Sequence, residues 1–360
     1  MSTPGSNIGE RKKRHLEICI DAERYHVEAG STGLEGVRFR HRALPELNAD
    51  AIDTTTTFLG YQIAMPVLIS SMTGGSDQSY RVNKDLAQAA QRAGVPVGMG
   101  SIRILFRKPE VIDDFRLKRL APDVPVLGNI GGVQLTELSH DALADLLREL
   151  EVDAVAVHLN PGQELFQPEG DRDFTGILEA IRRFCDVSPV PVVVKETGFG
   201  IGPEEVRALF EAGAAYVNIA GSGGTNWITV EASRREEGPN EVERQFADWG
   251  MPTGLLLASL GRDRRGIIAS GGLRTGMDVA KVIALGAELA GLALPFVRAV
   301  AEGGVEAVVE KLMDIKKVLT TVTALTGSPD IPSLREVPLW YEPDFQKRLE
   351  SFCSTIAAES

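Results

Sequence analysis

Eight short apolar segments, most of them followed by glycine-rich or polar residues, organise the middle of this 360-residue chain. They span residues 67–71, 95–98, 126–129, 154–158, 192–195, 216–220, 267–269 and 289–292. Continuous apolar segments of this kind are typical of parallel strands that are buried on both faces. Helical patterns separate them, such as the apolar stripe formed by Leu86, Ala89, Ala90 and Ala93. Eight β–α units, spaced roughly 20–50 residues apart, predict an α/β fold of the (β/α)8, or TIM barrel, type.

A doubly wound open sheet is the alternative that the same alternation of strands and helices allows. Such a sheet commonly carries the dinucleotide-binding pattern G-x-G-x-x-G directly after its first strand. The turn at that position reads Met72-Thr73-Gly74-Gly75 and lacks the pattern. The closed barrel is therefore the favoured prediction.

The chain is longer than the barrel needs, and we divide it into three parts. Residues 1–60 form an N-terminal extension that carries a basic arm, residues 61–302 form the barrel, and residues 303–360 form a C-terminal helical extension. Within the barrel, the connection after the sixth strand, residues 221–252, is about 32 residues long, whereas such loops usually have 2–6. We expect it to cover the active site as a lid, with a surface or oligomer-contact role as the alternative.

Composition excludes several classes of protein. The chain has 38 Lys and Arg against 50 Asp and Glu, and this acidic balance argues against a broad nucleic-acid surface. Glu288 interrupts the best candidate for a membrane span, and the polar, basic N-terminus has no apolar core of a secretory signal. The three cysteines, Cys19, Cys185 and Cys353, match neither a disulfide framework nor a metal-binding spacing. We therefore expect a cytoplasmic protein without nucleic-acid or membrane partners.

Glycine clusters follow the last strands of the predicted barrel. Gly223-Gly224-Thr225 and Gly271-Gly272 come after the sixth and seventh strands, and small residues follow the eighth, at 291–294. Backbone N–H groups in such turns can face an anion, and barrels often bind phosphate near their last strands. Arg103, two residues beyond Ser101, is also placed to grip a phosphate. These features favour a bound phosphate over tight turns alone.

Lys195 follows three valines at the end of the fifth strand, so its side chain can reach the mouth of the barrel. Three roles are open for a lysine there: a Schiff-base nucleophile, a phosphate ligand, or a counter-charge to a cofactor that becomes anionic. A structural salt bridge to Glu196 or Glu164 is a fourth possibility. The spacing alone does not choose among them.

A second polar cluster follows the fourth strand and contains His158, Asn160, Gln163 and Glu164. Glu164 lacks the acidic companions of a metal cage, but one carboxylate together with substrate phosphates is enough for Mg²⁺. A solvated loop glutamate and a hydrogen-bonded barrel histidine are the alternatives. The basic run at 11–15 bears on this site only if it folds over the barrel mouth.

Taken in order, the motifs resemble those of the type 2 isopentenyl-diphosphate isomerases. They are Arg11-Lys12-x-x-His15, Met72-Thr73-Gly74-Gly75, Gly100-Ser101-Ile102-Arg103, Gly128-Asn129-Ile130-Gly131, His158-Leu159-Asn160-Pro161-x-Gln163-Glu164, Lys195-Glu196-Thr197-Gly198-x-Gly200, Gly223-Gly224-Thr225-Asn226-Trp227 with Glu231, and Ser270-Gly271-Gly272-Leu273-Arg274-x-Gly276. The match runs from residue 11 to about residue 300, and its fourth-strand and sixth-strand motifs are the specific ones. Ser71 and Gly162 depart from the common pattern at positions to which we assign no catalytic role.

The resemblance implies a homo-oligomeric barrel enzyme, commonly a tetramer or octamer, that interconverts isopentenyl and dimethylallyl diphosphates. It implies reduced FMN, usually supplied through NADPH, and Mg²⁺ as cofactors. FMN would contact Ser71, Met72, Thr73, Ser101, Asn129, Lys195 and Thr225, with its phosphate at Gly272, Leu273, Arg274, Ala293 and Leu294. The protein would bind, orient and tune the flavin, which supplies the chemistry.

The resemblance also implies where the substrate binds. The substrate-binding residues would be Arg11, Lys12, Ser101, Ile102, Arg103, His158, Asn160 and Gln163, with Glu164 as the ligand of Mg²⁺. Gln163, His158 and Lys195 are the residues that we expect to carry catalysis. Lys195 near the pyrimidine end of the flavin would favour its anionic reduced form.

Three other functions fit the same scaffold. FMN-dependent 2-hydroxy-acid oxidases use a histidine after a late strand, and residues 221–227 contain none. Nucleotide dehydrogenases of related architecture need a cysteine nucleophile in a loop, whereas Cys185 lies in a helical stretch and the other two cysteines lie outside the strands. A non-catalytic flavin- or phosphate-binding protein remains open, because a fold does not fix an activity.

Overall fold

A closed ring of eight parallel strands forms the centre of the computed structural model, which describes residues 6–72 and 74–359. The strands are β1 (Val37–Phe39), β2 (Thr56–Phe58), β3 (Tyr61–Ile63), β4 (Val67–Ile69), β5 (Val97–Gly98), β6 (Val126–Gly131), β7 (Ala154–Leu159), β8 (Val192–Glu196), β9 (Tyr216–Asn218), β10 (Ile267–Ser270), β11 (Leu289–Leu292) and β12 (Leu339–Tyr341). Strands β4 to β11 follow one another around the barrel, and β11 pairs with β4 to close it. All eight predicted strands are confirmed, and the open-sheet alternative is excluded.

Helices pack around the barrel and continue beyond it at both ends of the chain. They are α1 (Ser6–Ile20), α2 (Asp77–Ala93), α3 (Gly132–Glu137), α4 (His140–Glu149), α5 (Pro161–Phe166), α6 (Ile177–Val187), α7 (Pro203–Glu211), α8 (Trp227–Ala232), α9 (Glu241–Arg244), α10 (Thr253–Leu260), α11 (Gly276–Ala284), α12 (Leu294–Leu325), α13 (Ile331–Arg335) and α14 (Pro343–Glu359). The predicted apolar stripe of α2 is fully buried. In the described part of the chain, no helix has the length and apolar character to cross a membrane.

The N-terminal end of the barrel is closed by a hairpin of β2 and β3. Phe58 and Ile63 of this hairpin are buried against the first residues of the barrel strands. Beside them, the Tyr61 hydroxyl donates to Asp153, and Lys118 binds the same carboxylate. Because this end is filled, we expect ligands to enter at the opposite end, where barrel enzymes place their active sites.

The N-terminal and C-terminal segments of the chain pack against each other. Strand β1 pairs antiparallel with β12, and Phe345 of α14 packs on Gly36 beside them. Helix α12 is interrupted by non-helical backbone at Gly303 and Gly304, which bends the chain where the barrel gives way to the C-terminal helices. Helix α1 packs against α2, α8 and α12, which brings its basic residues to the mouth of the barrel.

The connection after β9 is a folded excursion that contains α8 and α9. The Asn226 side chain caps α8 and also donates to the carbonyls of Phe246 and Ala247, which ties the start of the excursion to its end. Its two ends meet again where Ser222 bridges to Pro252. Trp227 of α8 lines the central cavity, so this loop forms one wall of the mouth. Its closure on a ligand stays a prediction.

Candidate active site

A cavity opens at the carboxyl ends of the barrel strands, and it encloses about 950 Å³ when the space open to solvent is counted. Its lining includes the predicted flavin-binding residues Ser71, Met72, Ser101, Asn129, Lys195, Thr225, Gly272, Leu273, Arg274, Ala293 and Leu294. The remaining one, Thr73, lies outside the described residues. Residues from seven different strand ends therefore meet at one space, as the barrel prediction requires.

Glycines let two loops touch backbone to backbone at one end of this cavity. A Cβ atom on Gly224 would lie 2.5 Å from the backbone nitrogen of Gly272, and one on Gly272 would lie 2.4 Å from the carbonyl oxygen of Gly223. Gly272 also has a φ of +74°, which favours glycine. Helix α12 begins at Leu294, so its first N–H groups lie beside these loops. Such an end suits a phosphate group.

The rest of the cavity also fits FMN. Among the residues that the structure describes, the buried hydroxyl of Ser70 has no hydrogen-bond partner, and it faces the cavity. The Asn129 amide and the Lys195 ammonium group line the same space. A flat ligand with polar atoms along one edge would satisfy these groups, because buried polar atoms are normally hydrogen-bonded. The donors and the phosphate-binding end thus match the two parts of a flavin nucleotide.

Lys195 reaches the cavity from the end of β8, and burial lowers its pKa to about 8. The neighbouring Glu196 turns its carboxylate to the following loop, where it accepts hydrogen bonds from the backbone of Gly198, Phe199 and Gly200. Glu196 thus shapes the loop, and the Lys195 charge is left directed at the cavity. This arrangement favours a ligand-facing role for Lys195 over a structural salt bridge.

His158 lies beside Lys195, because β7 and β8 pair these two residues directly. Burial lowers the pKa of His158 to about 3, and the charges of Lys195 and Lys12 act in the same direction. The imidazole is therefore neutral near pH 7. Its Nδ1 lies 3.0 Å from Oδ1 of Asn129 and donates to it, which leaves Nε2 to receive a proton.

A second cavity, which encloses about 700 Å³ with open solvent counted, adjoins the first and shares Lys12, Ser101, His158 and Gln163 with it. Its further lining includes Arg11, Arg103, Arg107, Asn160 and Glu164. The basic arm of α1 thus folds over the barrel mouth. Burial and the nearby charge of Arg11 lower the pKa of Lys12 to about 8. A bound anion would relieve this clustering of positive charge.

Not every predicted substrate-binding residue reaches these cavities. The side chain of Ile102 is completely buried and lines neither of them, because the short 3-10 helix Ile102–Phe106 turns it into the core. Arg103, the next residue, lines the second cavity and lies 4.0 Å from Asp171. The Arg103 side chain therefore lies at the second cavity and the Ile102 side chain does not, and substrate binding by these residues stays a prediction.

Glu164 presents a single carboxylate to the second cavity. Its Oε1 accepts a hydrogen bond from Asn160 at 2.9 Å, and its Oε2 accepts one from the backbone of Asp171 at 3.0 Å. Among residues 6–72 and 74–359, no group of three or more His, Cys, Asp or Glu side chains could hold a metal ion. Glu164 therefore fits Mg²⁺ only where substrate phosphates and water supply the other ligands.

Glu231, a residue to which the sequence motifs alone gave no role, holds the centre of the site together. Its Oε1 accepts from Nε2 of Gln163 at 2.8 Å and lies 2.9 Å from Nε2 of His15, while Oε2 accepts from Arg234 at 2.7 Å. Burial opposes its ionisation, but the hydrogen bonds from His15, Gln163 and Arg234 lower its pKa to about 2. Glu231 follows Trp227 by four residues, a spacing that places both on one face of a helix.

Cysteine chemistry is not available at this site. Cys19 is buried in α1, Cys185 is half-buried in α6, and Cys353 is exposed in α14. In the described part of the chain, neither cavity has a cysteine in its lining. The dehydrogenase alternative with a cysteine nucleophile is therefore excluded.

Comparisons with known proteins agree on a flavin-dependent family. A family model described as FMN-dependent dehydrogenase matches residues 20–105 and 150–340. An isopentenyl-diphosphate delta-isomerase from Borrelia garinii is 44% identical over 333 residues, which cover 92% of each chain. One from a Nostoc species is 42% identical and covers 90% of this chain and 93% of its own. Among solved structures, a flavocytochrome b2 mutant has a TM-score of 0.67 at 18% identity, covering 94% of this chain and 84% of its own, which shows the shared fold.

Proposed function

The chain belongs to the FMN-dependent dehydrogenase family and, within it, to the isopentenyl-diphosphate delta-isomerases, and we propose that it interconverts isopentenyl and dimethylallyl diphosphates for isoprenoid biosynthesis. The flavin-dependent form of this activity is the type 2 isomerase. One observation carries the proposal: the cavity that fits a flavin and the basic cavity share Lys12, Ser101, His158 and Gln163 as a common wall. A substrate with an anionic head and a hydrocarbon tail would occupy both spaces.

We assign FMN to the larger cavity, with its phosphate on the loops of Gly224 and Gly272 and at the start of α12. Asn129, Lys195 and Thr225 would hold the ring portion. When bound and reduced, FMN supplies an electron-rich ring and an acid–base group that ordinary side chains lack. The protein's part is to fix the ring and to provide positive charge beside it, which Lys195 does.

The diphosphate would bind in the basic cavity. Arg11, Lys12 and Arg103 bring three positive side chains to it, and Nε2 of the neutral His158 can accept a hydrogen bond there. Mg²⁺ held by Glu164 and by the diphosphate oxygens would complete the site. With its head fixed in this way, the hydrocarbon tail would extend past Gln163 into the flavin cavity.

Gln163 lies at the junction of the two cavities, and its amide has a defined orientation. Its Nε2 donates to the ionised Glu231, and its Oε1 accepts from Nδ2 of Asn160 at 3.1 Å. Because hydrogen bonds fix both its oxygen and its nitrogen, this neutral amide can hold the reacting carbon of the substrate in place without gaining or losing a proton itself. We therefore assign Gln163 to orientation of the reacting end of the substrate, with His158 and Lys195 as the other catalytic residues.

The reaction involves no net oxidation or reduction of the substrate. Isopentenyl and dimethylallyl diphosphates have the same composition, so one proton is added at the terminal carbon and another is lost from the carbon next to the diphosphate-bearing one. A reductant such as NADPH would be needed to reduce the flavin and not once per turnover. NADPH consumption far below product formation is therefore the expected stoichiometry.

We also propose a homo-oligomer that works in the cytoplasm. The type 2 isomerases that this sequence resembles are commonly tetramers or octamers, and this likeness supports the oligomer. The three cysteines of this chain are all free thiols, which suits a reducing compartment. Light scattering of the purified protein tests the first statement, and fractionation of the source cells tests the second.

The decisive experiment is an anaerobic assay of the FMN-loaded protein with isopentenyl diphosphate and Mg²⁺. The flavin is reduced once, with NADPH in one arm and dithionite in the other, and the product is followed by NMR. Formation of dimethylallyl diphosphate in the reduced arms, and none with oxidised flavin, is the expected result.

Two outcomes would point to the alternatives. Reduction of the bound flavin by a 2-hydroxy acid such as lactate, without isomerisation, would assign the chain to the oxidases. Stoichiometric flavin binding without turnover in any arm would make it a flavin-binding protein. Both outcomes contradict the isomerase proposal.

A further inference from the structure

We propose that Arg234 is a positioning residue for the isomerisation, which acts by fixing the Glu231 carboxylate that in turn orients the amide of Gln163. The inference rests on the proposed function, since it concerns the efficiency of that reaction. Arg234 lines neither of the two cavities, and its direct link to Gln163 runs through Glu231.

The orientation of Gln163 depends on Glu231. An ionised carboxylate only accepts hydrogen bonds, so it selects the NH₂ group of Gln163 and turns the amide oxygen toward Asn160. Glu231 is 2% exposed, so its carboxylate has no solvent to replace a lost partner. Any rotation of this carboxylate would therefore change where the Gln163 oxygen points.

Arg234 holds the second oxygen of that carboxylate. Its Nη1 donates to Oε2 of Glu231 at 2.7 Å, and its Nη2 donates to Oε1 of Glu169 at 3.2 Å. Glu169 also pairs with Arg11 of α1 at 3.3 Å. Arg234 therefore ties α8 of the sixth connection to the segment that follows α5 and to the basic arm. The guanidinium group thus bridges two carboxylates, and the second of them, Glu169, also holds Arg11.

Loss of Arg234 would change the position of the Glu231 carboxylate more than it would change its charge. His15 lies against Glu231 from α1, and the charges of Lys12 and Arg11 act on the same His15–Glu231 pair. The carboxylate would remain ionised with these neighbours, but its Oε2 would lose its only hydrogen-bond donor in the described residues. A buried acceptor without a donor rotates or draws in water, and either change displaces Gln163.

Arg235 provides a matched control. It is the next residue of the same loop and also forms an ion pair, but its partner is Glu243. It also donates to the carbonyl of Gly238, within the same excursion. Replacing Arg235 by Met therefore removes an arginine from the loop and leaves the partners of Glu231 in place.

The test compares Arg234→Met, Arg234→Lys and Arg235→Met in the FMN-loaded enzyme, with the wild type measured first. We expect Arg234→Met to lower kcat about 10- to 100-fold, because small displacements at a reacting centre have effects of this size. KM for isopentenyl diphosphate and the Kd of FMN should change by less than about threefold, since the variant removes no ligand contact. Arg234→Lys should recover part of kcat, and Arg235→Met should resemble the wild type.

A second background tests the route through Glu231. In Glu231→Gln enzyme, Arg234→Met should lower kcat by no more than about twofold, because the two residues act as one unit. If that background is too slow to measure, the kcat-to-KM split of Arg234→Met and the recovery by Arg234→Lys decide.

Several results would overturn the inference. One is an unchanged kcat in Arg234→Met, and another is an equal loss of kcat in Arg235→Met. A third is an Arg234→Met loss of kcat that is as large in the Glu231→Gln background as in the wild type. Wild-type enzyme without isomerase activity would instead refute the proposed function. Thermal unfolding of each variant separates these results from simple misfolding.

Discussion

His158 and Lys195 are paired residues on adjacent parallel strands, and both side chains line the central cavity. The barrel therefore places two basic groups side by side in a buried site. Burial lowers the pKa of Lys195 to about 8 and that of His158 to about 3. The lysine remains mostly charged near pH 7 while the histidine is neutral. An anion bound beside them would favour the charged form of both groups.

Replacing Lys195 by Ala should weaken flavin binding or make the bound flavin harder to reduce. The ammonium group brings positive charge from β8 to this cavity, where it would favour a ring that becomes anionic on reduction. FMN affinity by fluorescence titration and the midpoint potential of the bound flavin measure the effect. Lys316→Ala, in α12, is the control and should leave both quantities unchanged. An unaltered affinity together with an unaltered potential in Lys195→Ala would refute the role.

The stability of the flavin-free protein should fall with decreasing pH in a way that depends on His158. Its pKa is about 3 in the folded protein, against an ordinary value of 6.5, so the unfolded chain binds the proton first. Stability that is present above pH 6.5 is therefore lost as the pH falls toward 3, at most about 1.4 kcal/mol per pH unit. His158→Gln should flatten this slope in urea unfolding between about pH 6.5 and 4.5. An identical slope in both proteins would contradict the assignment.

Metal dependence should appear only together with the diphosphate. Glu164 is a lone carboxylate in the basic cavity, so Mg²⁺ should bind measurably by calorimetry only when isopentenyl diphosphate is present. Glu164→Gln should raise the Mg²⁺ concentration for half-maximal activity by about tenfold or more. FMN affinity, measured without Mg²⁺, should stay the same. Glu110→Gln, a change outside both cavities, serves as the control. Tight Mg²⁺ binding to the substrate-free enzyme would refute this arrangement.

The barrel could be predicted because burial on both faces of a strand leaves a continuous apolar segment in the sequence. Strand ends carry their polar residues in order, so the site residues from Ser71 to Leu294 could be placed at one mouth. The contact of His15 with Glu231 could not, because it arises from the packing of α1 on α8, whereas Arg234 follows Glu231 by only three residues. Nor does a sequence show that Ile102 turns inward while Arg103 does not, since a short 3-10 helix decides it.

Gly272 tests the phosphate-binding end of the flavin cavity most directly. A Cβ atom there would lie 2.3 Å from the Cγ2 atom of Thr32 and 2.4 Å from the carbonyl oxygen of Gly223. Gly272→Ala should therefore push the two loops apart and raise the Kd of FMN about tenfold or more, equivalent to about 1.4 kcal/mol. The positive φ at this position would also destabilise an alanine by roughly 1–2 kcal/mol. This strain by itself lowers the stability of the protein and not its affinity for flavin.

Gly60→Ala separates these two effects. Gly60 also has a positive φ, of +82°, but a Cβ atom there would have no atom within 4 Å. Thermal unfolding of the flavin-free protein should show a loss of stability from backbone strain in both variants. Gly272→Ala should lose additional stability because its Cβ atom clashes with neighbouring atoms. Only Gly272→Ala should lose affinity in an FMN titration. Equal affinities in the two variants would mean that the phosphate is bound elsewhere than between these loops, since the clash at Gly272 could not leave a phosphate contact there intact.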